Sequence, residues 1–351
     1  MTGVDSAGRD EELAADVLAE RYEVAAETVE LVPMGTDTIN RRILLADGRR
    51  LFVKEYASIA DLDAARSAWD MSEYCRAAQL PVPRVWPDRD GNLVTLAEGS
   101  AWAVADEAPG RVAAGAMTVA RAEHIGMVLG RMHRVLAAYP LPKRVQPSRW
   151  RTGSVEDALR KCDTVLDTAR RQEHDHPALL SAQIGQRRAD LSTHVSRLRD
   201  GLPTELIEQA LHADFTRPNV LVLTDVVTGV IDFRSARSLP AWELGRAAFD
   251  PRTVAISDRW RECVQAMVAA YRSENPSLPL ADVLACARIS LLYMLFSFYG
   301  ATTYEYELPA EAEEDLKRHW QERQTSIRHL LDSLDDIEDA LKTSTNRRGG
   351  R

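Results

Sequence analysis

The segment that most constrains this chain is residues 210–236, ALHADFTRPNVLVLTDVVTGVIDFRSA. Two short apolar runs, 220–223 and 229–233, are built largely from Val, Ile and Leu and bounded by turn residues, the pattern of buried strands. Paired as a hairpin through residues 224–228, they bring Asp214 and Asn219, which precede the first run, to the same end as Asp232, late in the second. Read alone, Asp214 and Asn219 would be a self-bonded turn, since both side chains bond their own backbone there. The complete string, followed by a strand and a second carboxylate, argues for a site instead. Two carboxylates and an amide oxygen suit Mg²⁺, a hard cation that takes oxygen ligands and leaves positions for phosphates. One carboxylate remains to act as a base, and phosphoryl transfer needs little beyond such a metal and a positioned hydroxyl.

The string HADFTRPN, residues 212–219, resembles the catalytic loop of the aminoglycoside phosphotransferase and choline kinase superfamily, whose members share the protein-kinase fold. VIDF, residues 230–233, resembles that superfamily's metal-binding motif. The resemblance implies that Asp214 is the base that orients the acceptor hydroxyl, that Asn219 and Asp232 hold Mg²⁺, and that His212 supports the loop. It spans about residues 29–299. The fold it implies is α+β, bilobal and protein-kinase-like, with a small β-rich N-terminal lobe and a larger, mostly helical C-terminal lobe. The expected division is a nucleotide-binding lobe with its hinge over 1–108, a helical lobe with catalytic loop and acceptor site over 109–343, and a disordered tail over 344–351.

A chain of 351 residues is large enough for two lobes with cores of their own. Its net charge of −9 argues against a nucleic-acid partner, because phosphate backbones reward basic surfaces. Cys75, Cys162, Cys263 and Cys286 form no CxxC pair and read as buried free thiols in a reducing compartment. The first twenty residues carry Asp5, Asp10, Glu11 and Glu12 and no long apolar run, so no signal peptide is read. The most apolar stretch, 289–299, is too short to span a bilayer. A cytoplasmic protein with no membrane partner is expected, and its oligomeric state stays open.

In the N-terminal half, a helix over 11–21 follows a frayed start at residues 1–10. Strands around 29–33, 41–45 and 51–56 come next, with an Asp47-Gly48 hairpin signal between the last two. Lys54 stands in the third strand. By the resemblance it neutralises the nucleotide phosphates, and Gly35, Thr36 and Thr38 belong to the loop over them. A helix over 60–78 offers Asp70 or Glu73 to pair with Lys54, with Glu73 preferred for its longer reach. Strand-like runs over 92–110 end at the hinge, 105–108, where Asp106 and Ala108 are the named nucleotide-contacting positions. Gly110 lets the chain turn beyond them.

The C-terminal half reads as helices over 120–139, 155–202 with a break near His176-Pro177, 257–272, 281–299 and 311–341. His133, beside an apolar helix face, reads as a structural histidine. His174–Pro177 lacks a second ligand pair at zinc spacing and reads as a solvated loop. After the VIDF strand this chain departs from the family pattern, with Glu243 standing in for a supporting acid and Arg234 where a smaller residue is common. Glu305, Tyr304 and Glu307 are placed by the resemblance as acceptor contacts, since carboxylates and aromatic faces suit a protonated amine. The function implied is transfer of the γ-phosphoryl group of ATP (or GTP), with Mg²⁺, to a hydroxyl of an aminoglycoside-type or related amino-sugar antibiotic or precursor. The alternatives are a metabolic kinase acting on homoserine, choline, ethanolamine or a methylthio-sugar, and a catalytically silent nucleotide-binding module.

Overall fold

The computed structural model describes residues 4–32, 38–56, 58, 62–172, 176–302 and 310–348. In chain order the N-terminal elements are α1 (Val4–Tyr22), β1 (Ala26–Val32), β2 (Ile39–Leu45), β3 (Arg50–Tyr56) and α2 (Leu62–Ala77). The strands β4 (Val85–Trp86), β5 (Thr95–Ala97), β6 (Ser100–Asp106) and β7 (Arg111–Val112) follow. Four helices come next: α3 (Val119–Leu136), α4 (Arg149–Thr152), α5 (Val155–Arg171) and α6 (Pro177–Asp200). Then come β8 (Gln209–Leu211), a 3-10 turn at Arg217–Asn219, β9 (Val220–Leu223), β10 (Val226–Val230) and β11 (Ala236–Ser238). The chain closes with α7 (Pro240–Ala248), α8 (Pro251–Ile256), α9 (Trp260–Glu274), α10 (Leu280–Leu284), α11 (Cys286–Phe296) and α12 (Ala310–Arg348). These elements fall into two units. One holds Met1–Ala113, Val135–Arg144 and His212–Arg237, the other Ala114–Arg134, Val145–Leu211 and Ser238–Arg351.

The first unit is built on an antiparallel sheet in the order β1-β2-β3-β6-β4, with β5 also paired to β6. Its hairpin between β2 and β3 closes at Gly48, whose φ of 81° only glycine adopts freely. Alternation along the strands sends Ile43, Leu45, Leu51, Val53, Trp102 and Val104 to one face, where Ala14, Val17 and Leu18 of α1 cover them. The same alternation puts Lys54 on the opposite face from Leu51 and Val53. There Ala101 and Ala103 pack with Ala65 of α2 and Val94. Helix α1 starts at Val4, ahead of the expected residue 11.

The hairpin differs from the sequence expectation in register. Its second strand is Val226–Val230, and its turn is only Thr224 and Asp225. Thr224 takes a left-handed φ of 57°, which closes the tight turn, and a bulge between Val227 and Gly229 absorbs the extra residue. Asp232 therefore lies two residues past the strand, in a loop. A third strand, β7, pairs with β9 and was not anticipated. Gly110 is required just before it, because a Cβ there would sit 2.5 Å from Thr228 Oγ1 and 2.9 Å from the Val222 carbonyl oxygen.

The second unit is helical. The stretch 281–299 is two helices, α10 and α11, meeting at Ala285, instead of one. Helix α12 bends at Ser333, whose hydroxyl bonds back to the His329 carbonyl at 2.6 Å, a known cause of helix bending. All four cysteines are buried and unbridged. Among the described residues no helix is long and apolar enough to cross a membrane. Helices α3 and α9 approach closely at Gly126, where a Cβ would lie 2.1 Å from the Met267 carbonyl oxygen. Gly126→Ala must push two packed helices apart, so it should destabilise the protein by about 1–3 kcal/mol, read as a drop in Tm on thermal unfolding.

Candidate active site

His212 organises the site. It is fully buried, its Nδ1 accepts the Asp214 backbone N–H at 3.1 Å, and its Nε2 faces the Ile231 carbonyl at 2.9 Å. Those partners fix the tautomer with the proton on Nε2. The ring also packs, tilted by 35°, against Phe233 at 4.3 Å between centroids. One imidazole thus ties the loop carrying Asp214 to the loop carrying Asp232. Backbone bonds repeat the tie, from Arg234 N–H to His212 O at 2.9 Å and from Ile231 N–H to Asn219 O at 3.0 Å.

Within this frame Asn219 turns its amide nitrogen onto Asp214, at 2.9 Å from the carbonyl and 3.2 Å from Oδ2. Asp214 Oδ2 also receives Arg234, with Nε at 3.4 Å, a contact the sequence did not foretell. Lys54 Nζ lies 2.5 Å from Asp232 Oδ1, so the strand lysine and the metal-motif carboxylate are brought together. Burial alone would push the Asp232 carboxyl up. Lys54, assisted by Arg234, outweighs that and holds it below the usual carboxylate value. Ala213, Asp232 and Ser235 have φ of 69°, 65° and 46°, left-handed values that non-glycine residues adopt at a cost. Ser235 is braced by Ser67 of α2, the two hydroxyl oxygens being 2.8 Å apart.

The other sequence candidates separate. Glu73 is engaged by Arg76 one turn later, at 2.5 Å, and neither Glu73 nor Asp70 is paired with Lys54. The i,i+3 geometry on one helix makes the Arg76 partner the nearer one. Thr38 donates its hydroxyl to Asn40 Oδ1 at 3.0 Å. Gly35 and Thr36, with Tyr304, Glu305 and Glu307, lie outside the described residues, as does part of the His174–Pro177 string. At the expected hinge, Asp106 Oδ1 accepts Trp86 Nε1 at 2.8 Å, and its backbone N–H is given to Arg84 O. Ala108 makes no hydrogen bond among the described residues, which leaves its peptide available to a base edge.

The donor set fits a small hard cation. With its nitrogen on Asp214, Asn219 has its amide oxygen left over, and Asp232 has Oδ2 left over, neither bonded among the described residues. Two protein oxygens are what a Mg²⁺ held largely by phosphates and water requires. No group of three or more His, Cys, Asp or Glu that could bind a metal is found among the described residues.

Residues 30–281 match the model of the phosphotransferase enzyme family. The chain belongs to that family. Solved structures agree on the fold. An amicoumacin kinase in complex with AMP-PNP, Ca²⁺ and Ami is 18% identical, with a TM-score of 0.61 over 92% of this chain and 96% of that one. A spectinomycin phosphotransferase in complex with ADP and spectinomycin is 11% identical, with a TM-score of 0.60 over 95% and 98%. A microcompartment-associated aminopropanol kinase is 16% identical, with a TM-score of 0.57 over 93% and 98%. No curated protein matches the sequence. The fold is therefore protein-kinase-like, and the chain is a phosphotransferase.

In the helical unit a buried histidine has an acidic partner. Glu243 and His133 are both fully buried, with Oε2 and Nε2 3.0 Å apart, and the far side of the ring faces the Tyr271 hydroxyl at 2.8 Å. His133 is thus a structural histidine. Glu243→Ala would strip this chain of its charged end, and a loss of about 3–5 kcal/mol in a urea melt is expected.

Asp232 supplies a pH test. Its carboxyl is depressed in the folded state, so its pairing with Lys54 stabilises above the unfolded pKa and is lost as pH falls through the folded one. The stability gap between the wild type and Lys54→Met should be largest near neutral pH and close in acid, measured by urea unfolding across pH.

Proposed function

We propose that this protein transfers the γ-phosphoryl group of ATP or GTP to a hydroxyl group of a small molecule. The observation that carries the reading is the convergence of Lys54, Asp232, Asp214 and Asn219 on two loops joined through His212. In this reading Asp214 orients the acceptor hydroxyl and takes up its proton. Its Oδ2 is held by Asn219 and Arg234, which fixes the carboxylate in place. Lys54 binds the α- and β-phosphates from the strand face. Asn219 and Asp232 would hold Mg²⁺, which when bound neutralises charge on the phosphates. The peptide at Ala108 meets the base. Catalysis is then positioning and charge neutralisation in a site fixed beforehand.

The acceptor class drawn from the resemblance is an aminoglycoside or an amino-sugar precursor. The neighbours' names, which include amicoumacin, spectinomycin and aminopropanol, support a small-molecule acceptor and leave both antibiotic and metabolic classes for the substrate screen. A silent module has no need of all four groups in one frame.

Asp214→Asn should lower kcat at least ~10²-fold with nucleotide affinity nearly unchanged, since the group acts on the acceptor. Undiminished turnover would remove Asp214 from the mechanism. Asp232→Ala should raise the Mg²⁺ concentration needed for nucleotide binding, followed by titrating a fluorescent nucleotide at several metal concentrations.

A further inference from the structure

Helix α2 lies on the face of the sheet that carries Lys54, with Ala65 packed against Ala101 and Ala103. Its buried stripe runs along Ala65, Ala68, Met71, Ser72 and Cys75. At about 100° per residue, Ser67 and Trp69 flank that stripe on opposite sides, one step either way from Ala68. Each makes a polar contact off the helix. Trp69 donates its indole N–H to the Tyr56 hydroxyl at 3.0 Å, and Tyr56 stands two residues beyond Lys54 on the same face of β3. Burial pushes that phenol up to about 12 against the Trp69 bond, and the Asp232 carboxylate adds to the rise, so Tyr56 stays a neutral donor. On the other side Ser67 meets Ser235, the hydroxyl oxygens 2.8 Å apart.

Ser235 ends the loop, residues 231–235, that carries Asp232 between β10 and β11. Where the chain enters that loop, Val230 gives its N–H to Pro81 O at 2.8 Å, on the segment that leaves α2. The loop is therefore held at both ends by α2 and its exit. The acids of α2 lie elsewhere. Asp70 falls about 200° and Glu73 about 140° from Ala68, both away from the buried stripe. Arg76 takes Glu73 through two of its nitrogens. Lys54 has Asp232 as its partner, so whatever holds the loop also holds the lysine's carboxylate. We propose that Ser67 is a positioning residue for the Mg²⁺-nucleotide complex: through Ser235 it sets the Asp232 loop, and it replaces the helix acid expected to pair with Lys54. The proposal rests on the small-molecule kinase reading and deepens it at the same site.

Nucleotide binding needs no acceptor and serves as the readout. Full-length protein is titrated with N-methylanthraniloyl-ATP across a series of Mg²⁺ concentrations and again in EDTA, followed by ligand fluorescence. Ser67→Ala should raise the half-saturating Mg²⁺ concentration about three- to tenfold, the loss of one hydrogen bond. In EDTA the same variant should keep close to wild-type affinity, which a general folding defect would not allow. Ser67→Thr, which keeps a hydroxyl, should restore the wild-type Mg²⁺ requirement. Ser235→Ala should match Ser67→Ala, and the double variant should be no worse than either, because both break one contact. Glu73→Gln should move the requirement less than Ser67→Ala does. An unshifted requirement in Ser67→Ala, an equal loss in EDTA, no rescue by threonine, additive effects in the double variant, or a larger shift from Glu73→Gln would overturn the proposal. Wild type that binds no Mg²⁺-nucleotide removes the kinase reading and this inference with it, whereas wild type and Ser67→Ala binding alike removes only the role of Ser67.

Discussion

A single buried imidazole holds the chemistry of this protein in place. The two loops that carry carboxylates contain residues in left-handed backbone. His212, between Asp214 N–H and Ile231 O, holds them at a fixed separation together with two cross-loop backbone bonds. A neutral ring can do this because it offers one donor and one acceptor at opposite corners. Burial between Phe215 and Phe233 removes competing water. The carboxylates on either side then need only short side chains, Asp instead of Glu, to be positioned with little freedom.

Backbone strain at Ala213, Asp232 and Ser235 fits that picture. Each such residue costs of order 1 kcal/mol or more, and the cost is tolerated where surrounding bonds over-determine the conformation. Here the bracing is identifiable: the imidazole, the cross-loop backbone bonds and the Ser67–Ser235 contact. The same loops present Lys54 with a carboxylate and Asp214 with a guanidinium, so each charge of the site has a counter-charge in reach.

Much of this was legible in the chain. HADFTRPN and IDF singled out Asp214, Asn219 and Asp232, and the structure sets Asn219 on Asp214 and Lys54 on Asp232 in two loops tied through His212. Other features depend on three-dimensional choices with no linear signal. The hairpin register hinged on whether Thr224 would accept a left-handed φ, and a threonine gives no hint that it will. The choice between Asp70 and Glu73 was undecidable because the partner of Glu73 is Arg76 on its own helix, a local competitor that reach alone does not reveal. Strand β7, two residues long, is too short for any periodicity. The role of His133 was read correctly from its apolar face, yet its link to Glu243 spans 110 positions and emerges only from the fold.

The first unit is assembled from three separated stretches of chain, and β7 has to wait for β9. Arg111 pairs with Val222, more than a hundred residues later. A ribosome that has released only the large sheet has therefore made a body whose last strand lacks its neighbour. The unit is closed only after much of the helical unit, 145–211, has been synthesised. Such non-local closure slows folding. It also means that severing the chain anywhere between residues 113 and 212 divides one body into pieces, not two bodies from each other, so the half that would bind nucleotide is no autonomous module.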